Sequence, residues 1–196
     1  MASLIFIATF ITVFILIIRV IIKLIKHKSS TAAFRTIAII LFCYGLLWVI
    51  FYFKSNETTV PFGTDVCFDD WCATITQAER LKTLGKQKPQ GQFIVLHIQV
   101  SNHARGIAQK PSEPRVHIID GQGHSWAFSK EGQKALEDIA GKQIPIDAKL
   151  ELHQRLEMQL VFDIPQDAKN LKAIIEEGPY ITKLLFHDNR KVFALD

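Results

Sequence analysis

Two of the three cysteines and the seven histidines are the residues in this chain whose chemistry could make a site. Cys67 and Cys72 flank Phe68-Asp69-Asp70-Trp71. In an extended chain their Cα atoms would lie ~16 Å apart, at ~3.3 Å per residue. A disulfide needs Cα atoms within ~7 Å, so pairing requires the segment to fold back, and Asp69-Asp70 suits such a turn. A structural bridge is the favoured reading. Thiol–disulfide exchange is the competing one, but its usual signature is C-x-x-C beside a βαβ pattern, and neither is present. Zinc would need further Cys or His at ligand spacing, and calcium would need more oxygen ligands than two adjacent aspartates.

His97, His117 and His153 fall at outward positions of expected strands, where solvated side chains are the default, and His27 belongs to a basic loop. A metal site would require two of them to meet across neighbouring strands. No G-x-S-x-G elbow occurs, and Asp120-Gly-Gln-Gly123 is followed by neither Lys-Ser/Thr nor a helix, so it is no phosphate loop. Trp71 and Trp126 read as core aromatics. No cofactor is expected, and no catalytic or metal-ligating residue is assigned.

The elements that must position these residues divide the chain sharply. Every acidic residue lies at or after Glu57, whereas the charges before it are all basic: Arg19, Lys23, Lys26, Lys28, Arg35 and Lys54. Removing those six from the 23 Lys and Arg leaves 17 against 19 acids, so the later part carries −2 and the basic pI belongs to the first quarter. No basic stripe marks that later part, and nucleic acid is not an expected partner.

The first quarter predicts a helical hairpin in a bilayer. Ala2 to Ile18 holds no charge, and with snorkelling by Arg19 and Lys23 the span extends over about 2–22. A second span covers 36–53, with Trp48 and Tyr52 near its far end, where an aromatic belt would lie. A basic n-region and a small-residue cleavage site are both missing, which argues against a cleaved signal peptide. Between the spans, Arg19, Lys23, Lys26, Lys28 and Arg35 form a loop without acids. The positive-inside rule places that loop in the cytoplasm and both ends of the chain outside. Cys43 is an apolar filler in the second span. The hairpin is expected over 1–54 and a linker, broken by Pro61 and Gly63, over 55–64.

Residues 65–196 read as strands. Gly91 to Asn102 (GQFIVLHIQVSN) puts Ile94, Leu96, Ile98 and Val100 on one side, the period of a strand with one face against a core. A strand from Trp71 to Arg80 precedes it. Val116 and Ile118, then Asp120-Gly-Gln-Gly123 and His124 to Phe128, predict a hairpin. A short surface helix fits 129–140. Period-2 alternation runs from Ile146 through Phe162, as one bent strand or as two around His153-Gln154-Arg155, and Pro165 ends it. Leu171 to Ile175, Ile181 to Phe186 and Lys191 to Leu195 complete the set. Seven or eight short strands with turn signals between them predict an all-β, antiparallel sandwich behind a two-helix hairpin.

Three segments carry a family likeness. Gly91 to Asn102 resembles the "glycine, hydrophobic strand, asparagine" signature of the DUF4352 or telokin-like domains. Ile118 to His124, with Asp120 and Gly123, is similar to their D-x-x-G hairpin. Leu160 to Pro165, with Phe162, Asp163 and Pro165, is similar to their late F-D-x-P strand. The resemblance covers roughly residues 60–196, and the double-span anchor departs from the family's usual single-span or lipoprotein anchoring. It implies an immunoglobulin-like sandwich on the extracytoplasmic side of a bacterial plasma membrane, and no catalytic residues. The expectation is a non-catalytic interaction or structural module of the cell envelope. Its partners would be the lipid bilayer and another envelope protein or surface polymer. Small-ligand sensing is the alternative, with a thiol-redox or metal-dependent enzyme third.

Overall fold

The computed structural model describes residues 2–25, 31–53, 57–68, 70–178 and 190–195. It divides into two units, residues 1–56 with 179–189, and residues 57–178 with 190–196.

The first unit contains two helices, α1 (Ala2–Ile25) and α2 (Thr31–Phe53), which lie against each other. They cover the two apolar runs, as expected. Among the described residues, however, no helix is long and apolar enough to cross a membrane. The basic loop residues Lys26 and Lys28, and the expected strand 181–186 with its turn, lie outside the described residues.

The second unit is a two-sheet β-sandwich. Its strands are β1 (Thr58–Val60), β2 (Val66–Phe68), β3 (Trp71–Leu81), β4 (Gln92–Asn102), β5 (Arg115–Ile119), β6 (Ser125–Trp126), β7 (Arg155–Ile164), β8 (Lys172–Glu176) and β9 (Lys191–Ala194). One sheet runs β1-β9-β8-β5-β6 and the other β2-β3-β4-β7. A helix, α3 (Lys130–Ala140), sits between β6 and β7 in the chain. Ser129 caps it by accepting from the Gly132 N–H, and Gly141 closes its other end.

The four-stranded sheet is organised by β4, which pairs antiparallel with β3 from Phe93 to Asn102 and with β7 from Gln92 to Ser101. Ile94, Leu96, Ile98 and Val100 enter a core shared with Val116, Ile118, Ala173, Ile175 and Phe193 of the other sheet. A bulge at Thr76 shifts the β3 register, so that Ala78 rather than Gln77 continues the inward face.

Several expectations are corrected. The other face of β4 is not wet: Phe93 and Val95 form a second, smaller core with Leu84, Leu136 and Val161 beneath α3. The sandwich begins inside the expected linker, because Thr58 to Val60 pair with Lys191 to Phe193. That pairing is parallel, so the sheets are not wholly antiparallel. The alternation between Ile146 and Leu152 does not make a strand. Turns closed by Ala148 N to Pro145 O and by Gln154 N to Glu151 O interrupt it, and His153 has φ 58°. Leu150 is nevertheless buried, held by an isolated bridge to Gln109.

Gly91 is fixed by space. An added Cβ would sit 2.1 Å from the Ile164 carbonyl oxygen, which is rigid backbone. Gly91→Ala should force the end of β4 away from β7 and cost on the order of 3 kcal/mol. Equilibrium urea unfolding of the full chain in detergent micelles, followed by tryptophan emission, would show the midpoint fall.

Candidate functional site

The cysteines are joined. Cys67 and Cys72 face each other across β2 and β3, with Cα atoms 3.9 Å apart and a disulfide between them. Register makes this possible: Phe68 pairs with Trp71, and Asp70 lies in a turn before Trp71, while Asp69 lies outside the described residues. The tip is anchored on several sides. The Phe68 and Trp71 rings stack at 4.7 Å, and Trp71 Nε1 donates to Glu177 Oε1 at 2.7 Å. Gln109 Nε2 donates to Asp70 Oδ2, and the His103 N–H donates to the Asp70 carbonyl. Cys72 is buried and Cys67 is exposed.

The three family-like segments share one device, a polar side chain that binds loop backbone at the end of a strand. Asn102, buried at the end of β4, donates through Nδ2 to the carbonyls of Ile107, Leu150 and Glu151. Its Oδ1 accepts from the Ala104 N–H. Asp163 on β7 accepts from the Gln90 and Gly91 N–H groups, one on each oxygen, and so clamps the entry to β4. Pro165 follows the last residue of β7, Ile164, and its carbonyl accepts from the Ala168 N–H. Phe162 is fully buried in the main core.

Asp120 shapes the β5–β6 hairpin. Oδ1 accepts from the Gln122 and His124 N–H groups, and Oδ2 lies 2.8 Å from His124 Nδ1. Gly123, at φ 89°, takes the left-handed position, and its N–H donates to the Asp120 carbonyl. Burial favours the neutral acid. The hydrogen bonds from the His124 ring, the His124 N–H and the Gln122 N–H outweigh it, and the carboxyl titrates below the ordinary value of 3.8.

Sequence reasoning missed the surroundings of His97. Its Nε2 lies 3.1 Å from Glu79 Oε1 on β3, and its Nδ1 lies 3.2 Å from Gln159 Nε2 on β7. It is therefore a half-buried residue that hydrogen-bonds to both neighbouring strands, where the sequence suggested only a solvated side chain. The register pairs, Gln77 with His97 and His97 with Gln159, were the only signal that could have found it. His153 sits in a turn and not on a strand. Trp71 is buried, and Trp126 packs against the main core from its edge. Among the described residues, no three His, Cys, Asp or Glu side chains form a group that could hold a metal ion.

No family model matches this chain, and no curated protein sequence does. Several solved structures resemble it at low identity. MPT63, a secreted protein from Mycobacterium tuberculosis, is 11% identical over 71% of this chain and 98% of its own, with a TM-score of 0.48. A conserved hypothetical protein from Bacillus anthracis is 16% identical over 62% of this chain and 89% of its own, with a TM-score of 0.46. An uncharacterized β-sandwich protein from Clostridium difficile 630 is 12% identical over 72% and 96%, with a TM-score of 0.43. Likeness at these identities says nothing about activity.

Two outcomes follow for the clamps. Asn102→Ala removes the acceptor of the buried Ala104 N–H and one of the two donors to the Leu150 carbonyl, which keeps its bond from the Gln109 N–H, and should cost on the order of 2 kcal/mol in urea unfolding. For Asp120, the folded value lies below the unfolded one. Its contribution is therefore complete above about pH 3.8 and is lost as pH falls through the lower, folded value. Melting temperature measured against pH should show an acid limb that Asp120→Asn flattens while lowering the plateau at neutral pH.

Proposed function

We propose that this chain is a non-catalytic protein-interaction or structural module of a bacterial cell envelope. In this reading an immunoglobulin-like sandwich is displayed outside the plasma membrane and anchored by the α1–α2 hairpin. The observation that carries it is the use made of the reactive-looking side chains. Asn102, Asp120 and Asp163 spend their hydrogen-bonding capacity on backbone within two strands' reach, and Cys67 and Cys72 are spent on each other. A catalytic group must be free to engage substrate, and these are committed to holding loops.

The compartment has two supports. Disulfides persist outside the reducing cytoplasm. The acid-free cluster of Arg19, Lys23, Lys26, Lys28 and Arg35 argues for a cytoplasmic loop, which places residues beyond Phe53 on the opposite side. The anchor is supported by exposed apolar surface: Phe10, Phe14, Ile39 and Phe42 are each more than half exposed. Side chains of this kind need lipid or protein around them. With strand-built loops at its ends and a short tether, the sandwich offers surface for another envelope protein or a surface polymer.

Photo-crosslinking in intact cells from an exposed loop residue such as Ala127, followed by identification of captured partners, tests the reading. One envelope protein or polymer captured repeatedly is expected, unaffected by Cys67→Ser/Cys72→Ser beyond a stability loss of about 2 kcal/mol. Loss of a measurable enzymatic turnover on that same double substitution would instead favour thiol-redox chemistry.

A further inference from the structure

The four-stranded sheet ends at β7, beside which no further strand lies among the described residues. A bare edge of this length, ten residues from Arg155 to Ile164, is a template for pairing with another chain. Here its central backbone groups are already taken. Gln133 makes two bonds, Nε2 donating to the Gln159 carbonyl at 2.9 Å and Oε1 accepting from the Val161 N–H at 3.1 Å. Gln143 Oε1 accepts from the Gln159 N–H at 3.1 Å, and the Ser129 N–H donates to the Val161 carbonyl at 2.7 Å. Both N–H and both C=O groups of Gln159 and Val161 are thus paired much as a neighbouring strand would pair them. A glutamine carboxamide presents a donor and an acceptor like a peptide group, yet it offers no fresh edge beyond itself.

The cover is also held down. Leu136 packs with Phe93, Val95 and Val161 in the small core. Gly132 lets α3 come close, since a Cβ there would lie 2.7 Å from Val161 Cγ1.

The geometry points to residues 129–143 as a guard that occupies the β7 edge and keeps it from pairing with β7 of a second copy of this chain. A second copy is the occupant that the strand itself fits. When β7 is set antiparallel to its own copy and centred on Gln159, Arg155 falls opposite Asp163 at both ends, an opposite-charge pairing. The same edge on both molecules is what a closed two-fold interface requires. Leu156, Met158, Leu160, Phe162 and Ile164 line the core side of β7, so the cores of the two sandwiches would adjoin along the joined sheets.

The test removes the guard's side chains from the full chain in detergent micelles. In Gln133→Ala/Gln143→Ala, the Gln159 and Val161 amides should exchange with deuterium at least about tenfold faster, with those of β4 unchanged. Sedimentation should show a concentration-dependent dimer. Adding Glu157→Pro, which removes an N–H of the same edge-facing parity, should restore the monomer. The proposal is overturned if the two amides do not speed up, if they do and the protein stays monomeric, or if the dimer survives Glu157→Pro. Should the double substitution not fold, Gln133→Glu sets a carboxylate oxygen against the Gln159 carbonyl without shortening the side chain, and the same readouts apply.

Discussion

β4 is hydrogen-bonded along both edges and buried on both faces, and the sandwich depends on that constraint. Phe93, Ile94, Val95, Leu96, Ile98 and Val100 are each at most 2% exposed. Burying each such side chain is worth ~2 kcal/mol, so this one strand gathers a sum comparable to the ~5–15 kcal/mol net stability of a whole domain. Such a strand cannot shift by one residue, because its two apolar sets face different cores and would exchange places. Register is therefore set here and passed outward, to β3 and its disulfide hairpin on one side and to β7 on the other.

What the ends of β4 need explains the polar residues. A strand buried on both faces leads into loops whose backbone groups also lie near the interior, and those groups must be paired. Asn102 does this where β4 ends, and Asp163 does it where β4 begins. Asp120 does the same at the turn of the facing sheet. The three side chains are one structural solution used three times.

Much of this was legible in the sequence. The period of two in Gly91 to Asn102 identifies a strand, and the close spacing of Cys67 and Cys72 identifies the fold-back that the disulfide closes, with Asp70 in a turn. Asp120 with Gly123 identifies the hairpin. The second core escaped because alternation reports only that a face differs from its opposite, and Phe93 and Val95 give no sign of the helix that covers them. The stretch from Ile146 to Leu152 misled for the complementary reason: its turns, closed on Pro145 and Glu151, happen to keep the alternation. The three residues of β1 carry too little pattern to stand out, and their partner β9 lies far along the chain. His97 needed the register across three strands before its partners Glu79 and Gln159 could be seen.

The proposed reading, a module anchored in a membrane and displayed outside the cytoplasm, makes a definite demand on topology. Single cysteines introduced as Ser30→Cys in the basic loop and Ala127→Cys in the sandwich, each in a Cys43→Ala background, can be probed in intact cells with a membrane-impermeant maleimide. The account predicts that Ala127→Cys is labelled directly, and that Ser30→Cys is labelled only after the membrane is opened. Labelling of Ser30→Cys with protection of Ala127→Cys, or equal labelling of both in intact cells, would contradict it.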